Sequence, residues 1–200
     1  MKVIPLVVFA LLLFSSCEKN EIKNKGFIPI TEKSIYDSLN PNPGSDYVYY
    51  EIRNNYCFDA TRYTLIYSEG INPDPDANLY MSKGVHYSTG DLCMFNNILT
   101  FNGTEYKFLV TYDDILDFLG IVDCKGDALF IAHLNGYSFS FNDNNSGIKE
   151  ENGKYLIIAC KLVSMCAPVQ TDKFLLEIDQ SGNIKILKQE TISRDEQACI

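Results

Sequence analysis

Cysteine is the residue with the most chemistry to offer in this chain: seven stand at positions 17, 57, 93, 124, 160, 166 and 199. A structural zinc site needs close ligand pairs such as C-x-x-C, so that four donors converge on one ion. The nearest pair, Cys160 and Cys166, is too widely spaced, and neither His86 nor His133 stands at ligand spacing from a cysteine. Disulfides are expected instead, among Cys57, Cys93, Cys124, Cys160, Cys166 and Cys199. Six cysteines admit many pairings, and spacing does not choose among them. Such bridges persist in oxidising compartments.

Histidine and the carboxylates are the remaining candidates for catalysis. A general base near neutral pH is most often histidine, and the chain has two. His86, in Gly84-Val85-His86-Tyr87-Ser88, reads as a strand residue, and His133 reads as part of an amphipathic helix. The surrounding hydrophobic pattern explains both as structural. The pairs Asp113-Asp114 and Glu150-Glu151 are adjacent, and adjacency does not set two carboxylates across a substrate bond. Asp113-Asp114 suits the positive end of a helix. The sequence contains no G-x-S-x-G, H-E-x-x-H or phosphate-binding glycine loop. No catalytic, cofactor-binding or metal-ligating residue is assigned, and no cofactor is expected.

Two loops and the tyrosines offer recognition rather than catalysis. The stretch from Asn72 to Asn78, NPDPDAN, imitates the start of a calcium loop, with oxygens at alternate positions. Ala77 stands where that loop needs glycine and Lys83 where it needs glutamate. It reads as a stiff exposed turn, with a weak surface calcium site as the alternative. Residues 142–153 read as a polar loop first and a binding loop second. There are 13 Tyr and 12 Phe but no Trp. Tyr47, Tyr49 and Tyr50 offer a binding face with a polar handle; the plainer reading is that they cap the sheet edge.

The chain opens Met1-Lys2 and continues through uncharged residues to Phe14. Twelve residues as a helix span about 18 Å, against about 30 Å of hydrocarbon core. A basic start and a run of that length mark a secretory signal peptide. Leu13-Phe14-Ser15-Ser16-Cys17 then sets small residues directly before a cysteine. This segment resembles the lipobox of bacterial lipoproteins. The resemblance implies that residues 1–16 are removed and that Cys17 becomes the lipidated N-terminus, carrying diacylglycerol and palmitate-like chains. Several chains anchor stably where one is marginal. In lipoproteins of this kind, Glu18 after the cysteine, rather than Asp, speaks against retention in the inner membrane. The outer membrane is therefore expected, on its periplasmic or surface face. Residues 17–30 form the lipidated cysteine and a polar tether. With Cys17 given to lipid, an even six remain for disulfides.

The remaining residues, 31–200, are expected to form a single disulfide-containing domain, since 46% apolar content supports one packed core. A short helix is predicted over residues 31–39, and strands over 47–52 and 63–67. A hairpin over 98–109 turns at Asn102-Gly103 in a type I′ geometry. Thr111 and Asp114 form a capping signature for a helix that Gly120 ends. Asp123 is expected to cap a second helix whose Ala128, Ile131 and Ala132 face a core. Strands follow over 137–141 and 155–163, then a hairpin of 174–178 with 184–187. The fold expected is α+β, an antiparallel sheet with two short helices packed on one face.

These readings bound the function. With 26 acidic against 17 basic residues and a formal charge of −9, nucleic acid is excluded as a partner. The leading expectation is a membrane-anchored cell-envelope lipoprotein with a non-catalytic domain that binds a ligand, protein or glycan. A small carboxylate- or histidine-dependent envelope hydrolase is the first alternative, and an envelope inhibitor or assembly factor the second. A cleft with convergent polar groups would favour the enzyme; a broad exposed aromatic patch would favour binding.

Overall fold

The computed structural model of the chain describes residues 21–36, 39–42, 46–86, 88, 93–141 and 145–200. Cys17, its leader and residues 142–144 lie outside the described residues. Two antiparallel four-stranded sheets form, not one. In the first, β1 (Tyr49–Tyr56), β2 (Asp59–Gly70), β3 (Met94–Phe101) and β4 (Tyr106–Leu109) lie in the order β2-β1-β3-β4. In the second, β5 (Gly147–Glu151), β6 (Lys154–Met165), β7 (Val169–Ile178) and β8 (Ile184–Asp195) form a meander in chain order. Between them in sequence come α1 (Tyr112–Leu119) and α2 (Lys125–Leu134).

Helix α1 is set by local chemistry. Thr111 Oγ1 accepts the Asp114 N–H at 3.1 Å, and Asp114 accepts the Thr111 N–H at 3.0 Å, the reciprocal pair of a capping box. Gly120, at φ +68°, closes the other end by donating its N–H to Leu116 O. Helix α2 departs from expectation twice. Its N-cap is Cys124, whose Sγ accepts the Asp127 N–H at 3.4 Å, and not Asp123. It is also buried on every side from Gly126 to Ala132 rather than along one stripe.

A helix apolar all round needs partners all round. Phe130 packs edge-on against Tyr36, which stacks on Tyr67 of β2. Its neighbour Ile131 lies against Gly182, in the turn between β7 and β8. One core cluster thus joins Ile52 and Ile98 of the first sheet, Phe118 and Ile131 of the helices, and Ile157 and Leu176 of the second. Burying Phe130 and Ile131 contributes about 1.5–3 kcal/mol each. The helices are shared by two sheets, which replaces the expectation of packing on one face of a single sheet.

Several boundaries move for tertiary reasons. β5 lies inside the stretch read as a polar loop, because its pairing partner β6 supplies the backbone bonds that its own composition does not advertise. The expected strand over 137–141 reduces to one bridge, Ser138 to Cys160. The β3–β4 connection is a four-residue loop over 102–105, not a two-residue type I′ turn. Asn102 Oδ1 accepts the N–H groups of Thr104 and Glu105 there, and only Gly103 of the loop has a positive φ.

The outer face of the first sheet is covered by residues 71–86. Beneath them a buried polar group runs along β1: Arg53 donates to Glu51, Tyr49 OH donates to Glu51, and Arg53 Nη1 donates to Leu79 O at 2.6 Å. Asn97 Nδ2 reaches Lys83 O at 3.2 Å, and Tyr106 OH donates to Asn72 Oδ1. The calcium-like segment is therefore a pinned turn, and its Asp74 and Asp76 side chains are exposed.

Cys57 pairs with Cys93, joining the end of the β1–β2 hairpin to the start of β3, and Cys166 pairs with Cys199 beyond the ends of β6 and β8. These bridges belong to an oxidising, extracytoplasmic environment. Among the described residues two bridges form and not three: Cys124 and Cys160, expected among the disulfides, belong to neither. Helix α2 holds them apart: Cys124 caps its N-terminus, while Cys160 is bridged to Ser138, beyond its C-terminus. Ten helical residues span about 15 Å, and a disulfide needs Cα atoms within about 7 Å.

Candidate functional site

The last turn of α2 faces a loop that β3 holds in place. Val85 pairs with Asn96 through two backbone hydrogen bonds of 2.8 Å. Gly84 packs so closely on β3 that a Cβ there would overlap Asn96 O and the Phe95 ring. The next residue but one, His86, leaves the strand geometry expected for it and adopts φ +53°, a left-handed conformation uncommon outside glycine. Its ring comes to rest 5.3 Å from that of His133, at an interplanar angle of 58°.

Beside His86 a cleft of about 490 Å³ opens, lined by His86, Ser88, Asn135, Gly136, Lys161 and Met165 among others. Asn135 ends α2 and donates from Nδ2 to Ile131 O at 2.9 Å and to Tyr112 Oη at 3.0 Å. Gly136 then turns the chain at φ +82°. Lys161 enters from β6. Its Nζ donates to Asn135 O at 2.8 Å and stands 4.8 Å from the centre of the Tyr137 ring. Ser88 Oγ accepts the Met94 N–H at 2.9 Å.

The electrostatics push both imidazoles towards neutrality. Burial lowers the pKa of His86, and the Lys161 ammonium lowers it further. His133 falls to about 4, through burial first and then the neighbouring His86. Among the described residues, neither ring is hydrogen-bonded to a carboxylate or hydroxyl. The cleft therefore presents neutral imidazole and one ammonium already engaged, beside the apolar Leu134, Leu162 and Met165. Those groups can orient a polar ligand, but the described contacts do not include the hydroxyl–imidazole–carboxylate chain of a serine hydrolase.

The other expected site residues disperse. Asp113 and Asp114 occupy the first turn of α1, and Glu151 pairs with Lys149 at 2.8 Å on β5. Tyr49 and Tyr50 are buried, their hydroxyls donating to Glu51 and Glu69, and Tyr47 packs on Phe118. These three do line a second cleft of about 380 Å³ beside Asn40, Asn42 and Gly70. Lys161 and Asn135 were not legible as site residues. Lys161 sits in an apolar strand, and Asn135 has the sequence character of an ordinary helix stop.

No family model, curated protein or solved structure matches the chain. Among the described residues, no helix is long and apolar enough to cross a membrane.

Proposed function

We propose that this chain is a cell-envelope lipoprotein, anchored in the outer membrane through Cys17, whose two-sheet domain binds a ligand or partner protein without reacting with it. The observation that carries the binding reading is the cleft at His86, Lys161 and Met165. It gathers polar and apolar groups from a loop, a helix end and a strand, and its imidazole, that of His86, lacks an acid partner among the described residues. Lys161, Leu162 and Met165 of β6 form one wall of this cleft, at the far half of the second sheet. That half exposes Leu162, Val163 and Ile192 and is stapled at its tip by Cys166–Cys199. Exposed apolar residues rimmed by polar ones are the usual composition of a recognition surface.

The test has two arms. Labelled palmitate should enter the full chain and vanish in Cys17→Ala; labelling that survives the substitution defeats the anchor. A photo-crosslinker at Leu162 should capture a discrete envelope component, while one at Glu151, remote from the cleft, should not. Equal capture from both positions, or none from Leu162, defeats the binding reading.

A histidine-dependent hydrolase is the second reading, favoured by His86 lining the cleft with the His133 ring 5.3 Å behind it. It requires turnover of a glycan, ester or peptide substrate that disappears in His86→Ala.

A further inference from the structure

The opposite end of α2 carries a cluster that the cleft does not use. One carboxylate oxygen each from Asp123 and Asp127, and the Sγ of Cys124, all lie within 4.8 Å of one another. Asp127 is fully buried at 0% exposure. Its Oδ1 accepts the Asn40 N–H at 3.0 Å and the carboxyl also meets the Cys124 thiol, while its buried Oδ2 has no further hydrogen-bond partner among the described residues. Leaving such an oxygen unsatisfied costs about 1–3 kcal/mol, and more when it is charged. Burial already holds the Asp127 carboxyl above the ordinary carboxylate range. A proton relieves that cost, and so does a cation.

We propose that Asp123, Cys124 and Asp127 form a zinc site, with Cys124 Sγ, Asp127 Oδ2 and one Asp123 oxygen as ligands and water in the fourth position. The donor set selects the ion. A thiolate suits zinc, whereas calcium and magnesium take six or more oxygens. Tetrahedral zinc with bonds near 2.0–2.3 Å sets its ligands about 3.5 Å apart, so donors that lie within 4.8 Å of one another need to close by no more than about 1 Å. Asn40 supports both carboxylates from outside: its backbone N–H holds Asp127, and its Nδ2 lies 3.1 Å from Asp123 Oδ1. Asp123 is exposed, which gives the ion a path from solvent. Three anionic ligands around a dication leave net negative charge, and the positive end of α2 stabilises it. Burial pushes the Cys124 thiol up to about 12, so loading must displace its proton to solvent.

The test uses the full chain, stripped of metal with its disulfides intact, and Co²⁺ as the probe. One Co²⁺ per chain is expected, with a thiolate-to-cobalt charge-transfer band and tetrahedral d–d bands, both abolished by one equivalent of Zn²⁺. Cys124→Ser should remove the charge-transfer band and keep the apo fold, since serine is a preferred N-cap. Asp127→Asn should weaken Co²⁺ by roughly 100-fold, the upper end of what removing a mere supporting group of a metal site costs. If Asp127→Asn does not fold, the exposed Asp123→Asn decides, with at least a tenfold loss expected. Absence of the band in the native chain overturns the site. So does a band that persists in Cys124→Ser, or affinity that both aspartate variants leave unchanged.

Discussion

The His86 and His133 rings meet at 5.3 Å although one belongs to a loop pinned on the first sheet and the other to the last turn of α2. Two imidazoles at that distance oppose a second proton, and Lys161 opposes it further on the His86 side. The pair therefore links proton uptake to the packing of α2.

Stability should fall on acidification because of this pair. His133 titrates at about 4 in the fold against 6.5 ordinarily. Between those values the unfolded state binds more protons, so stability is full above pH 6.5, declines as pH falls and levels off below 4. The total loss is about 3 kcal/mol. Urea midpoints at pH 7.5 and 4.5 should differ more for the native chain than for His133→Gln. Equal differences would show that His133 is not held neutral.

Arg53→Ala should destabilise by about 3–5 kcal/mol, because it strands the Glu51 carboxylate at a position 4% exposed. It also removes the donor to Leu79 O, so residues 71–86 should become sensitive to limited proteolysis. The double variant Glu51→Leu, Arg53→Met should recover most of the stability in a denaturant titration. Protection from protease need not return with it, since the bond to Leu79 is still missing.

Gly84→Ala should cost about 1–3 kcal/mol through overlap with Asn96 O. Because Gly84 seats the loop that carries His86, the variant should also shift the imidazole resonances of both histidines. Unchanged resonances with reduced stability would mean that the loop relaxes without moving the ring.

Denatured, unreduced Cys17→Ala protein should titrate two thiols per chain, those of Cys124 and Cys160. Removing Cys166 and Cys199 together should cost about 2–4 kcal/mol. Amide exchange should accelerate first in residues 190–195, at the stapled end of β8.

What the sequence disclosed was what neighbouring residues decide. Thr111, Asp114 and Gly120 announce α1 because every atom of both caps lies within one turn of the chain. Tyr155 to Val163 announces β6 by apolar, β-branched content. What stayed hidden depends on distant partners. Gly147-Ile148-Lys149-Glu150-Glu151 has the composition of a loop and becomes a strand only when β6 lies beside it. The expectation for α2 took Ala128, Ile131 and Ala132 as one apolar face, although Gly126, Leu129 and Phe130 already made the other faces apolar. The His86–His133 pair and the ligation group at Asp123, Cys124 and Asp127 were equally hidden. The first spans two elements, and the second has the spacing of a helix cap.

Helix α2 has a consequence for how the chain can be divided. The first sheet is built wholly from residues 49–109 and the second wholly from residues 147–195, so each is contiguous and could pass for a separable unit. Neither owns an interior. The core of one half runs on into the core of the other, through a helix with no outward face between Gly126 and Ala132. A cut on either side of α2 divides that core and leaves each fragment with apolar surface that the other had covered. Only the two fragments together make a whole, as co-tenants of a single central helix.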